Sequence, residues 1–204
     1  SSSGTGYDSG VMESMFDFWY GNHKHTNFYP KGRFSIYRDA TADTQVEILE
    51  EGTLRFLDQR PQDRPFCVLI NYNVPHSGST LDMKWDGSDP AIYDTLYRDR
   101  IDDFPVPPNY VADAEVTDPK LPREVFNRDY IPSYNYAKTI PTLKEHEVKE
   151  AQTIHGVDRM LGNVRAALEA RGVAENTIIV FLSDHGMQHG EYGTRGKVLL
   201  YEPS

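Results

Sequence analysis

Asp184 and His185 stand side by side, and Gly186 follows at once. Both side chains can ligate a metal, and glycine lets the backbone turn sharply beside a bound ion. A carboxylate suits a hard cation such as Ca²⁺ or Mg²⁺. An imidazole is softer and suits Zn²⁺ better. Downstream come Gly190-Glu191-Tyr192-Gly193, then Gly196-Lys197, then Tyr201-Glu202. Lys197 is a single Lys on a glycine-flanked loop. Upstream, His76 follows Pro75 just beyond a second apolar run. An imidazole titrates near neutral pH, so it can carry a proton in catalysis. The bland alternatives are a helix-capping Asp, a hydrogen-bonded His and a solvated Lys.

Two apolar runs must position these groups. Thr177-Ile178-Ile179-Val180-Phe181-Leu182-Ser183 ends at Asp184. So apolar a strand is expected to be buried on both faces, as in a parallel sheet covered by helices. Ligands bind such sheets at the carboxyl edge of the strands. The run at 66–73 is likewise too apolar for a half-exposed strand. It would bring His76 to the edge that carries Asp184 if the two strands are parallel. A helix is expected over 43–58, where Val46, Leu49, Leu54 and Leu57 keep helical spacing. Thr44 and Glu47 could form its capping box. A long helix is expected over 142–171, opened by a Thr142–Glu145 capping box. Its apolar stripe would be Val148, Ala151, Ile154, Val157, Leu161, Val164 and Leu168, and Gly172 suits its C-terminal cap. Residues 1–40 read as loop with short strands. Residues 74–141 hold nine of the thirteen prolines. They read as an irregular surface excursion near the site. Helix, strand, excursion, helix and strand in that order predict an α/β fold with right-handed crossovers.

At 204 residues the chain can bury a sizeable core. Its mean hydropathy of −0.61 is modest for a complete buried-sheet enzyme. The net charge of −10 argues against general nucleic-acid binding. It leaves room for an anionic substrate, because a few local cations outweigh a diffuse acidic field. Cys67 is the one cysteine, so no internal disulfide can form. No stretch reaches the roughly 20 apolar residues of a membrane span. The first ten residues, SSSGTGYDSG, show no secretory signal and no initiator Met. Both ends read as cut, so an internal fragment of a longer enzyme is expected.

Taken together, Ser183-Asp184-His185-Gly186, Gly190-Glu191-Tyr192-Gly193, Gly196-Lys197 and Tyr201-Glu202-Pro203-Ser204 resemble the second signature region of the sulfatase family, in the alkaline-phosphatase-like superfamily. Lys197 lies 13 positions beyond Asp184, an offset several members share. A second family element matches upstream: Asp63-Arg64-Pro65-Phe66, an apolar strand, then Asn73-Val74-Pro75-His76. The resemblance implies an alkaline-phosphatase-like sandwich with a mostly parallel central sheet flanked by helices, incomplete at both ends. Residues 1–204 would form part of a single catalytic domain.

The implied activity is sulfuric ester hydrolysis, releasing inorganic sulfate from a small-molecule or carbohydrate sulfate ester. Asp184 would ligate Ca²⁺ or Mg²⁺. His185 would be a second ligand or touch the sulfate. Lys197 would hold a sulfate oxygen and neutralise charge on the leaving oxygen, and His76 would contact the sulfate and protonate the leaving alcohol. Glu191 would brace the loop. His146, His155 and Asp158 would be structural. His23 and His25 are candidate substrate contacts, and Phe16, Trp19, Tyr20 and Trp85 could stack on sugar rings. The family nucleophile is a formylglycine made from the cysteine of C-x-[PA]-x-R. Cys67 does not match, and reads as an inert thiol buried in a strand. The nucleophile and an acidic metal-binding pair are therefore expected outside this chain, and the fragment alone is expected to be inactive. The alternatives are a Zn²⁺- or Mn²⁺-dependent phosphodiesterase or phosphonate hydrolase, since phosphodiesterases of the superfamily also carry Ser183-Asp184-His185-Gly186-Met187, and a non-catalytic module that binds sulfated ligands. Family precedent favours a secreted, periplasmic or lysosomal location.

Overall fold

A computed structural model describes residues 11–22, 27–115 and 138–191, and the backbone of 195–196. These fall into two compact units. The first takes in residues up to Met83 together with Thr153–Thr177, and the second Lys84–Gln152 together with the residues from Ile178 on.

In the first unit, helix α1 spans Gln45–Gln59, close to the predicted 43–58. Thr44 and Glu47 do meet, hydroxyl to carboxylate. Thr44 does not cap a backbone N–H with its side chain, so the two side chains bond each other in place of the predicted capping box. The later part of the long helix lies alongside α1. Arg159 pairs with Glu47, Asn163 donates to Glu50 at 2.8 Å, and Arg171 pairs with Asp58. Partner numbers rise together along both helices, so the two run parallel. Val46, Ile48 and Leu57 of α1 and Val157, Met160, Val164 and Leu168 of the long helix are buried.

The segment 66–73 packs on this pair. Phe66 meets the Phe56 ring at 5.9 Å, and the Tyr72 hydroxyl donates to Met160 Sδ at 2.9 Å. The Asn73 N–H donates to Gln45 Oε1 at 2.8 Å. The chain thus runs from the end of α1 back to its start. Burial alternates residue by residue from Phe66 to Tyr72, the period of two that an extended chain presents. This corrects two expectations. The segment is half-exposed, not covered on both faces, with Leu69 69% open. Cys67, on the same open face, is exposed and not buried.

The long helix, here α2, spans Ile140–Ala170. It begins two residues before the predicted start. Thr139 rather than Thr142 opens it: the two threonines exchange hydrogen bonds between side chain and backbone N–H at 3.3 and 3.4 Å. Pro141 is tolerated because the first turn needs no N–H there. Gly172 closes it with φ +67°. Gly172 N–H donates to Glu169 O at 2.9 Å and Val173 N–H to Leu168 O at 3.1 Å, the paired bonds of a Schellman cap. The predicted stripe holds at Val148, Val157, Val164 and Leu168, but Ile154 is exposed. His146, Gln152 and Thr153 are buried in addition.

In the second unit, the predicted excursion contains short helices at Ala91–Asp94 and Arg98–Asp103, with Tyr93 fully buried. Leu143 packs with Val106 and Tyr110. The Trp85 indole N–H donates to Gln152 Oε1 at 2.9 Å, and Gln152 in turn donates to Leu96 O at 2.7 Å. That pairing explains how a glutamine is buried without cost. Residues 116–137 lie outside the described part.

The expected parallel sheet does not form among the described residues. The α/β prediction rested on strands at 66–73 and 177–183, and neither segment has a ladder partner there. Ile178 is 91% and Leu182 81% exposed, with Val180 and Phe181 between them also open. A strand is buried on both faces only when neighbouring strands and covering helices are present. The only sheet among the described residues is small and antiparallel: β1, Gln188–His189, pairs with β2, Arg195–Gly196.

Candidate active site

The apolar run delivers Asp184 and His185 to a tight turn. The Ser183 hydroxyl donates to His185 O at 2.7 Å. His185 Nδ1 lies 2.8 Å from Gly186 O. A carbonyl can only accept, so Nδ1 carries the ring proton and Nε2 of the neutral ring presents its lone pair. That Nε2 lies 3.4 Å from Asp184 Oδ2. Two lone-pair donors at this distance could share one cation. Ligand bonds of about 2.0–2.4 Å put neighbouring donors roughly this far apart. Asp184 is open to solvent, its side chain 85% exposed. The pair fits two positions of a metal site. Among the described residues no group of three or more His, Cys, Asp or Glu converges on one ion.

Beyond the turn the chain becomes buried. Gln188 is fully enclosed. Gly190 adopts φ +100°, a conformation glycine takes without strain. Val111 N–H donates to Gly190 O at 3.2 Å, and Glu191 bridges to Tyr110. The Glu191 carboxylate accepts from His189 N–H, which is the bracing role expected of it. The ladder sets Gly196, the residue before Lys197, opposite Gln188, three residues past His185. Lys197 itself lies outside the described residues, as do Tyr192, His23 and His25.

Beside β1 the second unit gathers a titratable cluster that sequence reasoning missed. Glu150 Oε1 lies 2.9 Å from His146 Nε2, and Glu150 Oε2 lies 3.7 Å from His189 Nε2. The His146 and His189 rings are 6.4 Å apart. Glu147 joins them, and its Oε2 is buried with no hydrogen-bond partner among the described residues. Burial pushes the Glu147 carboxyl up to about 7, Glu150 and Glu191 push the same way, and His189 and Lys144 oppose them. The available signal was the i, i+4 spacing of His146 and Glu150 on one helix face. His146 was expected to be structural and is indeed buried. His155 and Asp158 are exposed on the helix surface.

His76 belongs to the first unit, after a cis Val74–Pro75 peptide. Its Nδ1 accepts from Gly78 N–H at 3.0 Å and caps the helical turn Ser77–Thr80. The neutral ring proton therefore sits on Nε2, the nitrogen left to donate. Phe16, Trp19 and Tyr20 line a cleft of about 460 Å³ with α1 and the 67–73 segment. Trp85 makes a poorer sugar platform than expected, because Arg98 and Lys149 lie within 4.6 and 4.8 Å of its ring. No helix among the described residues is long and apolar enough to cross a membrane.

Comparison with known proteins agrees with the motifs. A sulfatase from Formosa agariphila is 30% identical over 68% of this chain and 25% of its own length. An N-acetylglucosamine-6-O-sulfatase from Bacteroides thetaiotaomicron is 22% identical over 92% of this chain and 42% of its own. A choline-sulfatase from Rhizobium meliloti is 25% identical over 92% and 34%. The chain thus spans less than half the length of these curated relatives. No solved structure gives a significant match. The sulfatase family profile covers residues 2–203, essentially every position read above, and the chain belongs to the sulfatase family.

Proposed function

We propose that the protein acts as a sulfuric ester hydrolase, releasing inorganic sulfate from a small-molecule or carbohydrate sulfate ester. The observation that carries this reading is the Asp184–His185 pair, two donors 3.4 Å apart at the end of the apolar run. The antiparallel pair supports it by returning the chain to Gln188 one residue before Lys197. Family membership brings with it the alkaline-phosphatase-like α/β class, and in this reading the 66–73 and 177–183 segments are strands of its mostly parallel sheet.

Asp184 and His185 would hold a divalent cation, Ca²⁺ or Mg²⁺, which when bound neutralises sulfate oxygens. Lys197 holds a further sulfate oxygen, where a fixed cation is worth most as charge develops. His76, with its proton on Nε2, protonates the departing alcohol. The nucleophile is a formylglycine from outside these 204 residues, since Cys67 lacks the surrounding motif. One observation favours the second reading: the His185 imidazole is a better donor to Zn²⁺ or Mn²⁺ than to Ca²⁺. That would suit a phosphodiesterase or phosphonate hydrolase.

The test is turnover, by the longer protein that would supply the formylglycine, of paired aryl sulfate and phosphate-diester probes, with Ca²⁺, Mg²⁺, Mn²⁺ or Zn²⁺ added after chelation. Sulfate release restored by Ca²⁺ or Mg²⁺, and lost in Asp184→Asn, is the expected result. Preference for the diester with Zn²⁺ or Mn²⁺ moves the assignment to phosphoester chemistry. Binding of sulfated ligands without turnover leaves the non-catalytic reading.

A further inference from the structure

We propose that Glu150 is a positioning residue for this site, bridging His146 on α2 and His189 on β1 and so fixing the segment that joins the Asp184–His185 turn to β2. The proposal rests on reading Asp184 and His185 as the metal and substrate end of the site.

Residues 178–186 are exposed throughout. The place of the Asp184–His185 turn is therefore inherited from the first buried residues after it, Gln188 to Gly190. Backbone bonds hold that stretch to Tyr110 and Val111 on one side and to β2 on another. Glu150 is its tie to α2. One carboxylate oxygen meets His146 Nε2 at 2.9 Å, and the other faces His189 Nε2 at 3.7 Å. His146 lies one turn before Glu150 on the same helix and fixes the orientation of the carboxylate. Its neighbour Glu147 on α2 feels the charges of His189, Glu150, Lys144 and Glu191. A buried carboxylate shared by two imidazoles is strong when complete and costly when broken. Losing it removes the tie of the His189 side chain to α2 and loosens the turn four residues upstream. A displacement of about 1 Å in a catalytic group can lower turnover about a hundredfold.

The experiment compares wild type, Glu150→Gln, His189→Gln and the double variant in the longer protein that would supply the formylglycine. It reads hydrogen–deuterium exchange together with turnover of an aryl sulfate. Glu150→Gln keeps the shape and removes the charge. Amides of 188–191 are expected to exchange about tenfold faster, with those of 153–165 on α2 unchanged. The double variant should be no faster than either single one, because both break the same bridge. Turnover should fall about tenfold or more with KM nearly unchanged. If Glu150→Gln unfolds, seen as lost protection at 153–165, His189→Gln decides. Unchanged exchange at 188–191 overturns the proposal whatever the activity. Faster exchange with unchanged kcat also overturns it. Faster exchange in a chain whose wild type hydrolyses no sulfate ester upholds the bridge and removes the hydrolase reading instead.

Discussion

Replacing Glu147 with Gln should stabilise the protein in mildly alkaline solution and leave it unchanged in acid. The carboxyl is half-buried between His189, Glu150, Glu191 and Lys144, and burial raises it from the ordinary 4.5 to about 7. A raised carboxyl favours the folded state when protonated. Its contribution is complete below about 4.5 and is lost as the pH climbs through about 7. The full gap is worth about 3 kcal/mol; screening by solvent at a half-open site reduces this to about 1–2 kcal/mol. Gln keeps the shape without the charge, so it escapes that loss. Urea unfolding of both proteins at pH 4.5, 6 and 8 measures the difference directly. With a slope of about 2 kcal/mol per molar, the variant's midpoint should rise by about 0.5–1 M at pH 8 and stay level at pH 4.5. Equal midpoints at pH 8, or the same offset at every pH, would refute the placement of Glu147.

Two glycines separate steric from conformational constraint. A Cβ on Gly52 would meet Tyr20 Cδ1 at 2.2 Å, so Gly52→Ala should lower Tm despite the usual helix gain of about 1 kcal/mol for alanine. Overpacking costs about 1–3 kcal/mol, and adding Tyr20→Leu should recover most of it. A Cβ on Gly172 would meet nothing within 4 Å, yet the residue sits at φ +67°. Gly172→Ala should therefore cost about 1 kcal/mol through backbone strain alone, with no second-site rescue.

The helices were legible because their signals are local. Apolar spacing placed α1 within two residues, and Gly172 marked the end of α2. The start of α2 was misread because Pro141 hid a first turn that needs no N–H. A motif of sequence neighbours, as at Asp184 and His185, offers candidates for chemistry before the fold is known. The role proposed for Glu150 was not legible, because it depends on His189 arriving from a distant segment. Burial of the 66–73 and 177–183 segments could not be read from their composition. Whether an apolar strand is covered depends on which other strands lie beside it, and that information is not in the strand.

The open stretch from Thr177 to Leu182 bears on how the protein must be made. It is uncharged, free of proline and rich in β-branched residues. Windows of this kind zip readily onto identical copies. The nearest charges, Glu175 before it and Asp184 after it, stand as gatekeepers against such growth. On the proposed reading Asp184 would then serve two masters, solubility during synthesis and ligation afterwards. Neutralising it should therefore reduce soluble yield as well as turnover, and recovered protein must be counted before any lost activity is assigned to chemistry.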